Sequence, residues 1–482
     1  MENKTIKFYI TTTLPYANAS PHAGHAMEFF QADAYARYFR KKLGKENVFF
    51  NVGVDEHGLK VFTTARESGT TPGNYLDELV PKWMNFCAKF KIGFDSFYRT
   101  SSKQHHITAQ AIWKLCDDQG DIYLKHYEGL YCVGCEAFLL ERDLVDGKCP
   151  DHDKAPIVYS EENYFFRLKA YSKAIIEHIH HTPDFLKPES KKQELLNFLK
   201  DMEDISISRN RANLPWGVEV PGDPDHTLYV WFDALSNYIG VPGFPEEMDR
   251  FRTWWPGIQL CGPDNLRFQG AMWQGMLASL GLPFTKHLLV HGTILGPDGQ
   301  KMSKTLGNVI APLEQYDQFG SDGVRFYMLG VLQTYLNCSY REEDLKSAYN
   351  THLANNYGNL VNRVIHLANQ KSINISDASS IENDFINKID AMKQKAEAAY
   401  EAFELHDAVS LVNDMVAFGN RYFQEKEPWK QDQPDAEKTL NNTSYLIQTA
   451  SELYEPVIPE GAKKAMECLK KQEKTILFPR IG

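Results

Sequence analysis

Strand-length and helix-length apolar patterns alternate along the first hundred residues, and this alternation limits the fold more than any other feature of the chain. Residues 7–10 and 48–52 read as strands, and residues 23–43 and 57–68 as helices, with breakers at Gly69 and Pro72. Strands separated by helices of this length imply an α/β fold with a doubly wound, Rossmann-like parallel sheet. Its ligands are expected beyond the carboxyl ends of the strands. The alternation resumes at residues 228–231, 258–261 and 287–290, each read as a further strand.

Between these stretches, residues 123–159 break into short strands, turns and cysteines, which reads as an insertion. From residue 349 to 469 the pattern is almost entirely helical, with polar breaks at 377–380 and 431–434. The expected division is therefore 1–120 and 226–345 for the two halves of the sheet domain, 121–225 for the insertion and 346–482 for a helical domain. With 43% apolar and 24% charged residues, the 482-residue chain reads as soluble, globular and divided into several domains. Its first residues, Met1-Glu2-Asn3-Lys4, carry both signs of charge, and no apolar run is long enough for a membrane span, so neither a secretory signal nor a membrane anchor is expected. Eight cysteines in a chain of this length point to a reducing, cytoplasmic setting. A net charge of −11 argues against non-specific coating of nucleic acid but leaves room for a local basic patch.

The stretch Pro21-His22-Ala23-Gly24-His25-Ala26 places two histidines three apart where the first strand gives way to the first helix. They could form a metal pair, be ordinary core histidines, or act as donors to an anion. No cysteine or acidic ligand follows at a matching interval, which weakens the metal reading. A helix N-terminus favours negative charge, and two imidazole donors add to that preference. Gly24 fits as a place where a side chain would obstruct a ligand. Downstream, Gly299-Gln300-Lys301-Met302-Ser303-Lys304-Thr305 sets two lysines three apart on a glycine-led loop. Alone this is better explained by a solvated basic turn. The chain has neither of the usual glycine-rich phosphate cradles, however, so histidines at one edge and lysines at another suggest a different nucleotide clamp.

A third group is Cys132-Val133-Gly134-Cys135 with Cys149-Pro150-Asp151-His152. Paired C-x-x-C and C-x-x-H knuckles supply four soft ligands for tetrahedral Zn²⁺, a reading that a set of unrelated thiols does not match. All four positions come from protein, so the expected ion is structural, one per chain, stapling the insertion.

These residues carry a resemblance. His22-Ala23-Gly24-His25 resembles the "HIGH" signature of class I aminoacyl-tRNA synthetases, and Lys301-Met302-Ser303-Lys304-Thr305 resembles their "KMSKS" signature. The surroundings are most similar to the methionyl-tRNA synthetase family: Leu14-Pro15-Tyr16-Ala17-Asn18, Asp55-Glu56-His57-Gly58-Leu59-Lys60, Glu162-Asn163-Tyr164-Phe165-Phe166 and Tyr229-Val230-Trp231-Phe232-Asp233-Ala234. The cysteine knuckle resembles that of its one-zinc bacterial members.

The resemblance implies that His22, Gly24, His25, Glu28, Asp264, Lys301, Ser303 and Lys304 bind ATP. His22, His25, Lys301 and Lys304 would stabilise the reacting phosphates, with Mg²⁺ on the triphosphate. It assigns Leu14, Tyr16, Trp231, Ala234, Leu235 and Tyr238 to an apolar amino-acid slot and Asp55 to the substrate ammonium. At Gln269 the family usually has histidine, and Asn265 stands where an aliphatic residue is common. Residues 346–482 become an anticodon-binding domain, with Asn359, Arg363 and Trp429 as tRNA contacts, Trp429 stacking an unpaired base. The implied activity is activation of methionine and its transfer to tRNA(Met) by a monomeric enzyme. The alternatives are a paralogue that adenylates an amino acid for another acceptor, or a non-catalytic tRNA-binding protein.

Overall fold

The computed structural model describes residues 6–132, 137–139, 141–150, 153–302, 309–375 and 381–482. Packing divides it into two compact units. The first comprises Met1–Ser20, Glu46–Asn85 and Phe94–His291, and the second Pro21–Lys45, Phe86–Gly93 and Gly292–Gly482.

The first unit is built on six parallel strands: β1 (Phe8–Thr11), β2 (Val48–Val54), β3 (Ser96–Arg99), β4 (Leu186–Lys187), β5 (Ile258–Cys261) and β6 (His287–Val290). Their spatial order is β3-β2-β1-β5-β6-β4. Every residue of β1, β2 and β5 is buried, which is why these segments are continuous apolar runs without alternation. Ile10 of β1 lies opposite Phe50 on one side and Ile258 on the other. The order reverses at β1, so a crevice is expected where β1 and β5 end.

The helices follow their local sequence. Lys103–Asp118 buries His105, Thr108, Ala109, Ile112, Trp113 and Cys116, one stripe at helical spacing, and its N-cap Ser102 accepts from the His105 N–H. In the insertion, Ile122–Cys132 and Ile157–Phe166 form a long antiparallel pair flanked by Ala137–Leu139 and Ile205–Ser206. These central strands are longer than the short ones the sequence suggests.

One element differs in kind. Residues 228–231, read as a strand, straddle the end of strand Asp223–Leu228 and the start of helix Val230–Leu235. The apolar run fits either state; Asp233, bonded to two distant histidines, fixes this segment as a turn of helix.

The second unit begins with helix Ala23–Leu43, whose ends match the sequence expectation. It continues through Asn359–Lys371, Asn383–Glu401, Leu405–Lys426, Gln433–Tyr454 and Pro459–Lys471, a C-terminal helical domain. The polar break at 431–434 is where Asp432 caps the next helix by accepting from the Asp435 N–H; the break at 377–380 lies outside the described residues. Among the described residues no helix is long and apolar enough to cross a membrane.

Candidate active site

In the second unit, His22 is the N-cap of helix Ala23–Leu43. Its Nδ1 accepts from the Gly24 N–H at 3.1 Å, and the Nδ1 of His25 accepts from the His22 N–H at 3.4 Å. The two imidazoles thus form a reciprocal capping box, a job usually done by Ser or Thr with Glu. The rings stack with centroids 3.7 Å apart. Because each Nδ1 accepts, the ring proton of each neutral imidazole sits on Nε2, giving two parallel donors at a helix N-terminus, which suits a phosphate. Gly24 has a local reason as well: a Cβ there would lie 3.0 Å from the His22 ring. Glu28, one turn on, is buried.

The same unit holds the approach to the lysine loop. Ile294–Leu295 pairs with Cys338–Ser339, and Leu295 bridges to Lys301 across a turn closed by Gly296 N–H on the Gln300 carbonyl at 2.8 Å. Gly299 takes φ +80°, a conformation that favours glycine. Lys301 is exposed. Ser303 and Lys304 lie outside the described residues.

In the first unit, the amino-acid residues are brought together beyond β1. Tyr16 bridges to Asp55, with Ala17 N–H on the Asp55 carbonyl at 2.8 Å and Asp55 N–H on the Pro15 carbonyl at 2.9 Å. The Tyr16 ring meets Trp231 edge-on at 6.3 Å, Lys60 lies 4.8 Å from the Tyr16 centroid, and Trp231 stacks on Phe268 at 3.9 Å. Leu14, Ala234, Leu235 and Tyr238 are buried, and the Tyr238 ring packs on Trp273. Asp55 is 3% exposed; its Oδ1 accepts from the His57 N–H at 3.3 Å and the Thr100 hydroxyl at 3.4 Å.

Gln269 lies on a π-helical turn, Phe268–Met272, wholly buried. Its Nε2 donates to Thr13 Oγ1 at 2.7 Å, while its Oε1 has no hydrogen-bond partner among the described residues. Asp264 and Asn265 lie on the turn Pro263–Asn265 that follows β5, Asp264 exposed and Asn265 partly so.

Sequence reasoning missed a buried cluster next to these residues. Asp233 accepts from His57 Nδ1 at 2.6 Å on Oδ2 and from His105 Nε2 on Oδ1. Burial alone would raise its pKa; the facing imidazoles of His57 and His105 outweigh that and hold the carboxyl well below its ordinary value. His106 packs on the His57 ring, and burial followed by repulsion from His57 lowers its pKa. His105 and His57 are 128 and 176 positions from Asp233, so no local pattern could have joined them.

In the insertion, Cys132 ends its strand and Cys149 begins a tight turn, with Cys149 N–H on the Lys154 carbonyl and Asp153 N–H on the Cys149 carbonyl. Both cysteines are almost fully buried, at 3% and 1% exposure. Cys135 and His152 lie outside the described residues. Among the described residues no cluster of three or more metal-ligating side chains is present. In the helical domain, Arg363 and Trp429 flank one ring: the guanidinium lies 4.9 Å from the Phe423 centroid and the Trp429 ring 6.0 Å from it. Trp429 is 39% exposed, and Asn359 is exposed at the start of its helix.

A family model described as tRNA synthetases class I (M) matches residues 8–155 and 151–365, and one described as the anticodon binding domain of methionyl tRNA ligase matches 374–480. The methionine-tRNA ligase of Nostoc is 38% identical over 95% of this chain and 89% of its own length. That of Mycobacterium tuberculosis is 34% identical over 98% and 94%. The solved M. tuberculosis methionyl-tRNA synthetase in complex with methionyl-adenylate superposes with a TM-score of 0.91 at 32% identity, covering 98% of this chain and all of that one. The chain belongs to the methionine-tRNA ligase family of class I aminoacyl-tRNA synthetases.

Proposed function

We propose that this chain activates methionine with ATP, forming methionyl-adenylate and pyrophosphate, and passes the methionyl group to the 3′-terminal ribose of tRNA(Met). The observation that carries the reading is the joined Asp55, Tyr16, Trp231 and Phe268: one carboxylate beside an aromatic wall, suited to an amino acid with an unbranched apolar side chain. Asp55 holds the ammonium; Leu14, Tyr16, Trp231, Ala234, Leu235 and Tyr238 line the slot, with Asn265 and Gln269 at its polar positions. The substrate carboxylate attacks the α-phosphorus, and the bond to the pyrophosphate oxygen breaks. The Nε2–H groups of His22 and His25 stabilise charge on the transferring phosphate, and Lys301 and Lys304 on the departing pyrophosphate. Gly24, Glu28, Asp264 and Ser303 complete the nucleotide contacts. Catalysis is then positional and electrostatic, with no protein nucleophile. Mg²⁺ supplies charge neutralisation on the triphosphate.

Zn²⁺ fits the burial of Cys132 at a strand end and Cys149 on a tight turn; with Cys135 and His152 it would staple residues 121–225, the connective insertion between catalytic halves 1–120 and 226–345. Residues 346–482 receive the anticodon through Asn359, Arg363 and Trp429. Pyrophosphate exchange across the twenty amino acids, followed by charging of purified tRNAs, tests the proposal. Methionine should drive exchange best and tRNA(Met) should be charged. Exchange driven instead by a polar amino acid, answering the unpartnered Gln269 Oε1, would overturn it in favour of a paralogue.

A further inference from the structure

Asp233 touches no solvent and faces two histidines, yet it sits on the helix that forms one wall of the slot. That helix, Val230–Leu235, has six residues and no side-chain cap, too little to hold a conformation by itself. It carries Trp231, Ala234 and Leu235, and Asp233 stands among them with its side chain turned to His57 and His105.

The two imidazoles come from different elements. His57 follows β2, and its backbone N–H is on Asp55 Oδ1. His105 belongs to helix Lys103–Asp118. A carboxylate only accepts, so both facing ring nitrogens carry protons. For His105 this choice leaves Nδ1 buried without a hydrogen-bond partner among the described residues, a cost set against the bond from Nε2. His57 is further boxed by the rings of His106 at 5.2 Å and Trp216 at 5.8 Å, and the Trp216 indole donates to the Glu56 carbonyl at 2.7 Å. One carboxylate therefore ties together the wall of the slot, the turn bearing the ammonium acceptor and helix Lys103–Asp118. A charged group this deep is expensive, and apolar packing could have filled the volume without directional bonds. What directional bonds add is a fixed distance between Asp55 and the Trp231 wall.

We propose that Asp233, held by His57 and His105, is a positioning residue that sets the spacing between the Asp55 carboxylate and the Trp231 wall and so governs affinity for the amino acid. This rests on the reading of that slot as the methionine site. In Asp233→Asn, one amide can satisfy only one histidine in its present tautomer; the other must move its proton or lose its bond.

The test is pyrophosphate exchange with purified full-length protein, varying methionine and ATP separately. Asp233→Asn should raise KM for methionine about tenfold or more, with kcat and KM for ATP within about twofold of the parent. His105→Gln, which keeps an N–H for Asp233, should stay near the parent, whereas His105→Leu should match Asp233→Asn. A folded Asp233→Asn with unchanged KM for methionine would overturn the proposal, as would changes of equal size in all three constants. If Asp233→Asn does not fold, the His105 pair decides: equal impairment of Gln and Leu overturns it, and rescue by Gln alone supports it. A parent protein that methionine does not drive would overturn the functional reading as well. A normal parent with an unmoved variant overturns only the role of Asp233.

Discussion

Arg325 and Asp33, both wholly buried within the second unit, pair at 2.8 Å. Arg325 also donates to the carbonyls of Val457, Phe90 and Pro456, and Asp33 also accepts from Arg37 and the Gly93 N–H, each at 2.7 Å. The pair closes a network in which helix Ala23–Leu43 is pinned to later parts of the chain. Removing one partner strands a buried charge, which typically costs about 3–5 kcal/mol. Asp33→Ala should therefore lower the free energy of unfolding by an amount of that order, read as a fall in the urea midpoint, and Asp33→Asn by less. A midpoint within experimental error of the parent would show the pair to be dispensable.

The capping box of His22 and His25 separates structure from chemistry. His22→Asn keeps a good N-cap acceptor but loses the Nε2–H donor. Exchange should slow by about 10² to 10³ while the melting temperature stays within a few degrees of the parent. Near-normal exchange in the His22→Asn, His25→Ala double variant would remove the phosphate role.

Gln269 makes specificity testable at two positions. One N–H of its Nε2 is committed to the Thr13 hydroxyl, which leaves the second N–H to offer to a thioether. Gln269→Ala should erode discrimination between methionine and norleucine, and Thr13→Val should erode it in the same direction. Slots of this kind separate near-isosteres by only about 1–3 kcal/mol. Gln269→His should keep methionine activation. The ratio of kcat/KM values for the two amino acids is the measurement, and a ratio unmoved by Gln269→Ala would show that the amide does not read the side chain.

Elemental analysis of purified protein should find about one zinc per chain. Cys149→Ala should lose it and make the insertion sensitive to limited proteolysis. Full charging activity in protein stripped of metal would show that the ion does not support the active fold.

Asp322 gives the second unit a pH dependence. Burial pushes its carboxyl up to about 6, against the N–H bonds it accepts from Gly461 and Glu460 and the nearby charge of Arg325. The folded state then holds a proton that the unfolded state has already released, so the stability from this group is full below its ordinary value of 3.8 and is lost as pH rises through about 6. Asp322→Asn should gain on the parent between pH 4 and 7, by up to about 3 kcal/mol. A stability difference that does not change over that range would rule out the buried proton.

The sequence by itself determined whatever depends on neighbours along the chain. Helix Ala23–Leu43 and strands Ile258–Cys261 and His287–Val290 fall where the apolar periods end, because those segments meet one kind of surroundings throughout. The histidine pair His22 and His25 was legible for the same reason: its spacing of three residues belongs to the start of one helix. Only the tertiary structure decided that residues 230–235 form a helix, since an apolar run of this length suits either state until Asp233 meets His57 and His105. It also decided that Gly24 makes room for the His22 ring, and that the Gln269 amide is already engaged by Thr13, 256 positions away. Hydrogen bonds and buried charges between distant residues leave no period in the sequence, because their geometry exists only once the sheet and its helices have packed.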